Sequence, residues 1–168
     1  CMSIGVGKYV VLASAGAGGE PYWTALYDGS GDDEFNDVTT DADNNIYLVG
    51  KTPTGIGTNN SLLFKFTNDG TAEFAYSLGT NVSTQQTHGE GIGLDSSGNI
   101  YVTGYTVAVG DGEEGFIAKY NSSGTLQWDK RLGSSSSADR FQRCVVDSSN
   151  DIITVGTYQQ ASTSYQNE

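Results

Sequence analysis

Short apolar stretches alternate with polar ones along most of the chain, and clusters of Asn, Asp, Ser and Gly separate them. In residues 37–41, 91–95 and 143–147 the alternation has period two. Val38 and Thr40, Ile92 and Leu94, and Cys144 and Val146 therefore fall on one face of an extended strand. These segments open a repeat. DVTTDADNNIYLVGKT (37–52) returns as GIGLDSSGNIYVTGYT (91–106) and, more loosely, as RCVVDSSNDIITVGTY (143–158). Its anchors, Asp41, Asp95 and Asp147, then Gly50, Gly104 and Gly156, are spaced 54 and 52 residues apart. A second block keeps the period: LLFKFTNDGTAEFAYSLG (62–79) matches FIAKYNSSGTLQWDKRLG (116–133), with Lys65 and Lys119 also 54 apart. VGKYV (6–10) reads as an earlier, weaker copy, placing Lys8 57 residues before Lys65, with Trp23 where Phe74 and Trp128 later stand.

Each full repeat predicts four strands. Strand A covers about 37–41, 91–95 and 143–147, and strand B about 46–51, 100–105 and 152–157. Strand C covers about 4–10, 62–67 and 116–120, and strand D about 22–27, 72–78 and 125–132. The A–B and C–D connections (DADNN, DSSGN, TNDG, NSSG) carry residues that tolerate the left-handed conformations of tight hairpins. Four antiparallel strands in about 54 residues is the arrangement of a propeller blade. The expected fold is thus all-β, built from β-propeller blades. The phase gives a C–D half blade at 4–27, full blades at 37–79 and 91–133, and an A–B half blade at 143–158, or three blade equivalents. Known propellers have typically 4–8 blades. Two arrangements stay open: part of a longer ring, or half of a six-bladed ring closed by a second copy, with 143–158 of one copy antiparallel to 4–10 of the other. The opening Cys1-Met2 points to a piece of something longer. Either way, the open edges predict self-association or cover by more of the same polypeptide.

The runs DSSGNIYVTGYT and FIAKYNSSGTLQWDKRLG resemble the bacterial β-propeller repeat called the SBBP repeat, strongly over 91–133, well over 37–79 and weakly at both ends. Similar tandem repeats occur in bacterial surface and secreted proteins and in tail-fibre-like phage proteins. The resemblance implies the fold and an extracellular, cell-surface or virion setting. It implies no catalytic residues.

Charge narrows the partners. The chain has 168 residues, 20 acidic against 8 basic, and a net charge of −12, which repels nucleic acid and anionic membrane surfaces. No stretch approaches the about 18 apolar residues of a membrane span. The D–A and B–C connections are long and varied and share one face, where binding is expected: 29–36, 53–60, 80–90, 107–115 and 134–141. Asp32, Asp33 and Glu34 fall in one of these loops, His88 and Glu90 in another, and Asp111, Glu113 and Glu114 in a third. Such carboxylates could hold calcium, but no spacing matches an EF-hand or a nonapeptide repeat. A solvated acidic surface is the simpler account, and no cofactor is expected. His88, the single histidine, reads as an exposed loop residue. No nucleophile elbow is present. Glu73 and Asp129 read as outward-facing strand positions, not a carboxylate pair. Asp41, Asp95 and Asp147 should cap the A–B turns. Trp23, Phe74 and Trp128 should pack between blades, with Gly50, Gly104 and Gly156 leaving room for that ring. The expected function is therefore non-catalytic: a binding or structural module for a glycan or protein. The alternatives are a propeller lyase or hydrolase, or a purely architectural piece.

Overall fold

The computed structural model describes residues 10–15, 21–27, 33–55, 58–78, 85–108, 112–133 and 138–159. These residues form strands and turns without a helix. The strands are β1 (Val10–Ala15), β2 (Pro21–Tyr27), β3 (Glu34–Thr40), β4 (Ile46–Gly55), β5 (Thr58–Phe66) and β6 (Ala72–Leu78). They continue as β7 (Gln85–Leu94), β8 (Ile100–Ala108), β9 (Glu113–Tyr120), β10 (Leu126–Leu132), β11 (Arg140–Val146) and β12 (Ile152–Thr157). Two complete blades, β3–β4–β5–β6 and β7–β8–β9–β10, lie between a C–D pair, β1–β2, and an A–B pair, β11–β12. All neighbouring strands are antiparallel, and the ring is not closed among the described residues.

The first strand C is displaced from its expected place. β1 runs Val10–Ala15, not 4–10, and residues 1–9, with Lys8, lie outside the described residues. Ser14 faces Trp23 across the pair just as Lys65 faces Phe74 and Lys119 faces Trp128. Ser14, six residues after Lys8, therefore holds the lysine position. An even slip leaves every side chain on its original face, so period-two alternation could not detect it.

The A–B turns are built as expected. Asp95 Oδ1 accepts from the backbone N–H groups of Ser97 and Asn99 at 2.9 Å each, and Oδ2 accepts from Asn99 Nδ2 at 2.8 Å and Tyr101 Oη at 3.0 Å. Asp41 repeats the set with Asp43, Asn45 and Tyr47, and Asp147 caps Ser149 and Asp151. Burial alone would raise the Asp95 carboxyl, but these donors outweigh it and hold it below the usual carboxylate range. The turns also join neighbouring blades. Trp23 Nε1 donates to the Asn68 carbonyl at 3.1 Å, Tyr76 Oη to the Ser123 carbonyl at 3.3 Å, and the Ser96 backbone N–H to Asn150 Oδ1 at 3.0 Å.

Between blades lie apolar layers. Leu48, Leu62, Phe64 and Phe66 face the β1–β2 pair, where Trp23 stacks on Phe66 at 5.9 Å. Tyr47, Val49 and Leu63 face Ile92, Ile100, Val102, Phe116, Ala118 and Tyr120 of the next blade, with Phe74 packed against the same layer. Ile92 and Cys144 are buried on the preceding blade, as the strand phase requires. Val38, at the same repeat position, is exposed. Its direction follows the repeat, but the described part of the preceding unit contains only β1 and β2 and no counterpart of strand B. Cys144 packs against the Tyr101 carbonyl, and burial pushes its thiol up to about 11, so it behaves as an apolar filler.

Gly50, Gly104 and Gly156 serve a different neighbour from the expected aromatic ring. Strand A carries one extra residue opposite each of them: the register shifts between Phe35 and Asp37, between Gly89 and Gly91, and between Phe141 and Arg143. The bulge presses a strand A carbonyl onto the glycine. A Cβ on Gly50, Gly104 or Gly156 would stand 1.8–1.9 Å from the carbonyl oxygen of Glu34, His88 or Arg140. The glycine and the bulge are one device repeated in each A–B pair.

Candidate functional site

Above the bulge, strand A presents residues to the D–A and B–C connections. Glu34, His88 and Arg140 share one repeat position, each opposite a strand B partner: Lys51, Tyr105 and Thr157. The three inner strands set these groups in a row. Glu34 pairs with Lys51 at 2.8 Å. His88 stacks on Tyr105 with ring centroids 4.5 Å apart and planes within 5°. The Arg140 guanidinium lies 4.5 Å from the Tyr105 ring centroid and is paired with Glu113 through two nitrogens.

His88 is a strand residue only 7% exposed, not a solvent-exposed loop residue. The second half of the polar, glycine-bearing segment 80–90 is strand, since β7 begins at Gln85. His88 Nε2 lies 3.4 Å from Gln86 Oε1, an acceptor oriented by Asn59 Nδ2 at 3.3 Å. That places the proton on Nε2 and leaves Nδ1 a buried lone pair with no hydrogen-bond partner. Burial, aided by the Lys51 and Arg140 charges, lowers the His88 pKa to about 4. Glu90, the bulge residue, is pushed up, first by burial and then by Glu34, against the pull of Lys51, Arg140 and Arg143.

These shifts give a pH prediction. Between pH 6.5 and about 4 the unfolded chain protonates its histidine while folded His88 stays neutral. Stability contributed by His88 is therefore lost as pH falls through that window, by up to about 3 kcal/mol. Glu90 acts oppositely: its folded pKa is raised, so its contribution grows as pH falls. The readout is thus a difference. Urea unfolding of the parent and of His88→Gln, at pH 7.5 and 4.5, should show the parent losing more stability on acidification than the variant. Equal losses would mean that His88 is not buried and neutral.

Other expected site residues are dispersed. Asp32 and Asp111 lie outside the described residues. Asp33 is buried, as are Thr87 and Asp139 at the same repeat position. Thr87 Oγ1 accepts from the Ser61 backbone N–H at 2.9 Å and donates to the Leu78 carbonyl at 2.8 Å; Asp139 Oδ1 accepts from the Gln159 backbone N–H at 2.7 Å. The position is a structural tie. Glu113 and Glu114 belong to β9, not to a loop, and Glu114 pairs with Arg131 at 3.7 Å, away from the row. The structure therefore gathers Glu34, His88, Glu90 and Glu113, and adds Lys51, Tyr105, Arg140 and Arg143. The signal for the added arginine was available: 34, 88 and 140 keep the 54 and 52 spacing, but their residue types differ. Among the described residues no three His, Cys, Asp or Glu side chains gather as a metal ion requires.

Toward the centre, Asp37, Gly91 and Arg143 share the next inward position. Arg143 Nη1 donates to Asp37 Oδ1 at 2.9 Å across two units, and the Ile92 backbone N–H donates to Asp37 Oδ2 at 3.1 Å. Gly91 lets the strands converge, since a Cβ there would stand 2.8 Å from Arg143 Cα. The inner strands thus turn about a common axis beneath the Glu34–His88–Arg140 row.

No curated protein matches the chain. A family model described as beta-propeller repeat, SBBP, matches residues 74–108, from the last strand of one complete blade through the first two strands of the next. The match spans the junction at which His88, Glu90 and Tyr105 stand.

Proposed function

We propose that the chain is a non-catalytic binding module of a tail-fibre-like phage protein or a bacterial surface protein. It engages a glycan or protein ligand through the face carrying Glu34, His88 and Arg140. One observation carries this reading. In a chain with 8 basic residues and a net charge of −12, Lys51, Arg140 and Arg143 converge on one end of the inner strands. There they alternate with Glu34, Glu113 and Asp37, presenting donors and acceptors side by side. The turns of the opposite face are engaged in hydrogen bonds with the neighbouring unit. The reading requires no cofactor.

The test is a glycan array together with a protein pull-down. A bound ligand should be lost or weakened at least about tenfold, or 1.4 kcal/mol, by Arg140→Ala. Ser97→Ala, on the turn face, should leave it unchanged. Binding insensitive to Arg140→Ala, or no ligand in either screen, would overturn the reading.

A propeller lyase or hydrolase draws support from the buried, neutral His88 beside Tyr105 and the Arg140–Glu113 pair, since perturbed groups cluster at reactive sites. Against it, His88 and Tyr105 cover one another. Turnover abolished in a folded His88→Ala protein would favour the enzyme.

A further inference from the structure

We propose that the ligand of this face is an uncharged saccharide, held through adjacent ring hydroxyls by the Arg140–Glu113 and Lys51–Glu34 pairs. The inference rests on the binding role proposed above and narrows it to one ligand chemistry. Charge decides first. Each cation of the face already has a carboxylate: Lys51 meets Glu34 at 2.8 Å, Arg140 meets Glu113 through two nitrogens, and Arg143 meets Asp37 at 2.9 Å. Glu90, on the bulge beside them, is pushed up by burial toward its neutral form. The face is therefore close to neutral, although the whole chain carries −12. An anionic ligand would have to draw Arg140 away from Glu113, leaving a carboxylate only 20% exposed without its partner. It would also approach against the field of the whole chain. A cationic ligand would have to displace Lys51 or Arg140 from the same carboxylates.

The hydrogen-bonding pattern decides next. Both pairs keep one side open to solvent, with Arg140 42% and Glu34 55% exposed. A guanidinium has five N–H donors, more than its two bonds to Glu113 require, and a carboxylate has more lone pairs than those bonds take up. Two adjacent hydroxyls of a sugar ring match such a pair. One oxygen accepts from the guanidinium or ammonium, and its neighbour donates to the carboxylate. His88 stands among both pairs, since the charges of Lys51, Arg140, Glu113 and Glu34 all act on it. Through Gln86 Oε1, 3.4 Å from His88 Nε2 and 3.3 Å from Asn59 Nδ2, the pattern runs on into half-buried amides. The row thus offers donors beside acceptors along its length, without a net charge to favour one sign.

A protein ligand fits less well. Protein interfaces centre on apolar and aromatic side chains packed against one another. Within the row the phenol ring, Tyr105, is covered by His88 and Arg140, and the more exposed side chains are those of Glu34 and Arg140. Arg140 is also held in place by Glu113 and Tyr105, so its donors are ordered before a ligand arrives.

The probes are neutral hexose oligosaccharides, arrayed beside sialylated, uronate-bearing and sulfated glycans, and the protein is the 168-residue chain. Neutral oligosaccharides should be retained and charged glycans should not. Glu113→Gln keeps the side-chain shape and removes the charged acceptor. It should weaken a neutral saccharide about tenfold, whereas it would tighten an acidic one by freeing Arg140. Glu34→Gln changes a more exposed side chain and should act in the same direction, so the test survives if Glu113→Gln fails to fold by circular dichroism. Asp129→Asn, on β10, should leave binding unchanged. Affinity should vary less than about twofold between roughly 0.05 and 0.5 M sodium chloride, because screening acts on charged ligands. Retention of acidic glycans alone, tighter binding by Glu113→Gln or Glu34→Gln, or capture of a protein in place of any saccharide would overturn the saccharide assignment and leave the binding role standing. Failure of every probe, together with an empty pull-down, would overturn both.

Discussion

Gly104→Ala should cost about 4 kcal/mol or more and leave the β7–β10 blade unfolded or rearranged. The added methyl would lie 1.8 Å from the His88 carbonyl oxygen, 2.9 Å from its carbon and 3.0 Å from Phe116 Cε1. Two of these atoms are backbone, so relief requires strand A to move. Such movement removes the bulge, and a one-residue change of register turns each side chain beyond it to the wrong face. Gly98→Ala is the control. Gly98 sits in the A–B turn at φ +75°, and the nearest atom to its Cβ, that of Ser122, is 3.6 Å away. Only the left-handed backbone penalty remains, roughly 1–2 kcal/mol. Urea unfolding followed by circular dichroism separates the two. A Gly104→Ala protein no less stable than Gly98→Ala would show that strand A does not bulge onto strand B.

Ile92→Ala should cost about 2–5 kcal/mol, the range for emptying a well-packed site. Ile92 lies at the centre of the layer formed by Tyr47, Val49, Leu63, Ile100 and Val102, in which Val49, Leu63, Ile100 and Val102 are wholly buried. Val38→Ala, at the same repeat position, should cost less than about 0.5 kcal/mol in dilute solution, because exposed substitutions rarely exceed that. Equal costs for the two residues in dilute solution would show that the strand phase is mis-set.

The fold was legible because the strongest signals in the chain are local and repeated. The Asp at each A–B turn, the Gly in each strand B and the period-two alternation of strand A each have one physical cause, so they recur with little change. The site was less legible, for three reasons. First, β7 extends through Gln85–Glu90 without an apolar pattern, because there the strand end faces its neighbours through a stacked histidine and charged groups. Polar content there resembles that of a loop. Second, the row Glu34, His88 and Arg140 repeats in position but not in chemistry, and a search for recurring residue types passes over it. Third, the convergence of Asp37 with Arg143 joins residues 106 apart. It depends on blade curvature, which no local pattern encodes. The slip at β1 has another origin: one lysine served as anchor where an even displacement leaves the alternation unchanged.

The bulge in strand A also divides the strand into two zones of mutational tolerance. On the turn side of the extra residue, the position that faces the preceding unit is apolar in every copy: Val38, Ile92 and Cys144. On the other side the same strand carries an acid, an imidazole and a guanidinium at one position, over an unchanged scaffold. Gly50, Gly104 and Gly156 hold the crossing point to strand A through backbone contacts alone, so substitutions of the side chains above it should leave the register below unchanged. Each repeat can therefore bring its own chemistry to the row. A library varied at positions 34, 88 and 140, with the three glycines kept, should yield mostly folded proteins that differ in what they bind.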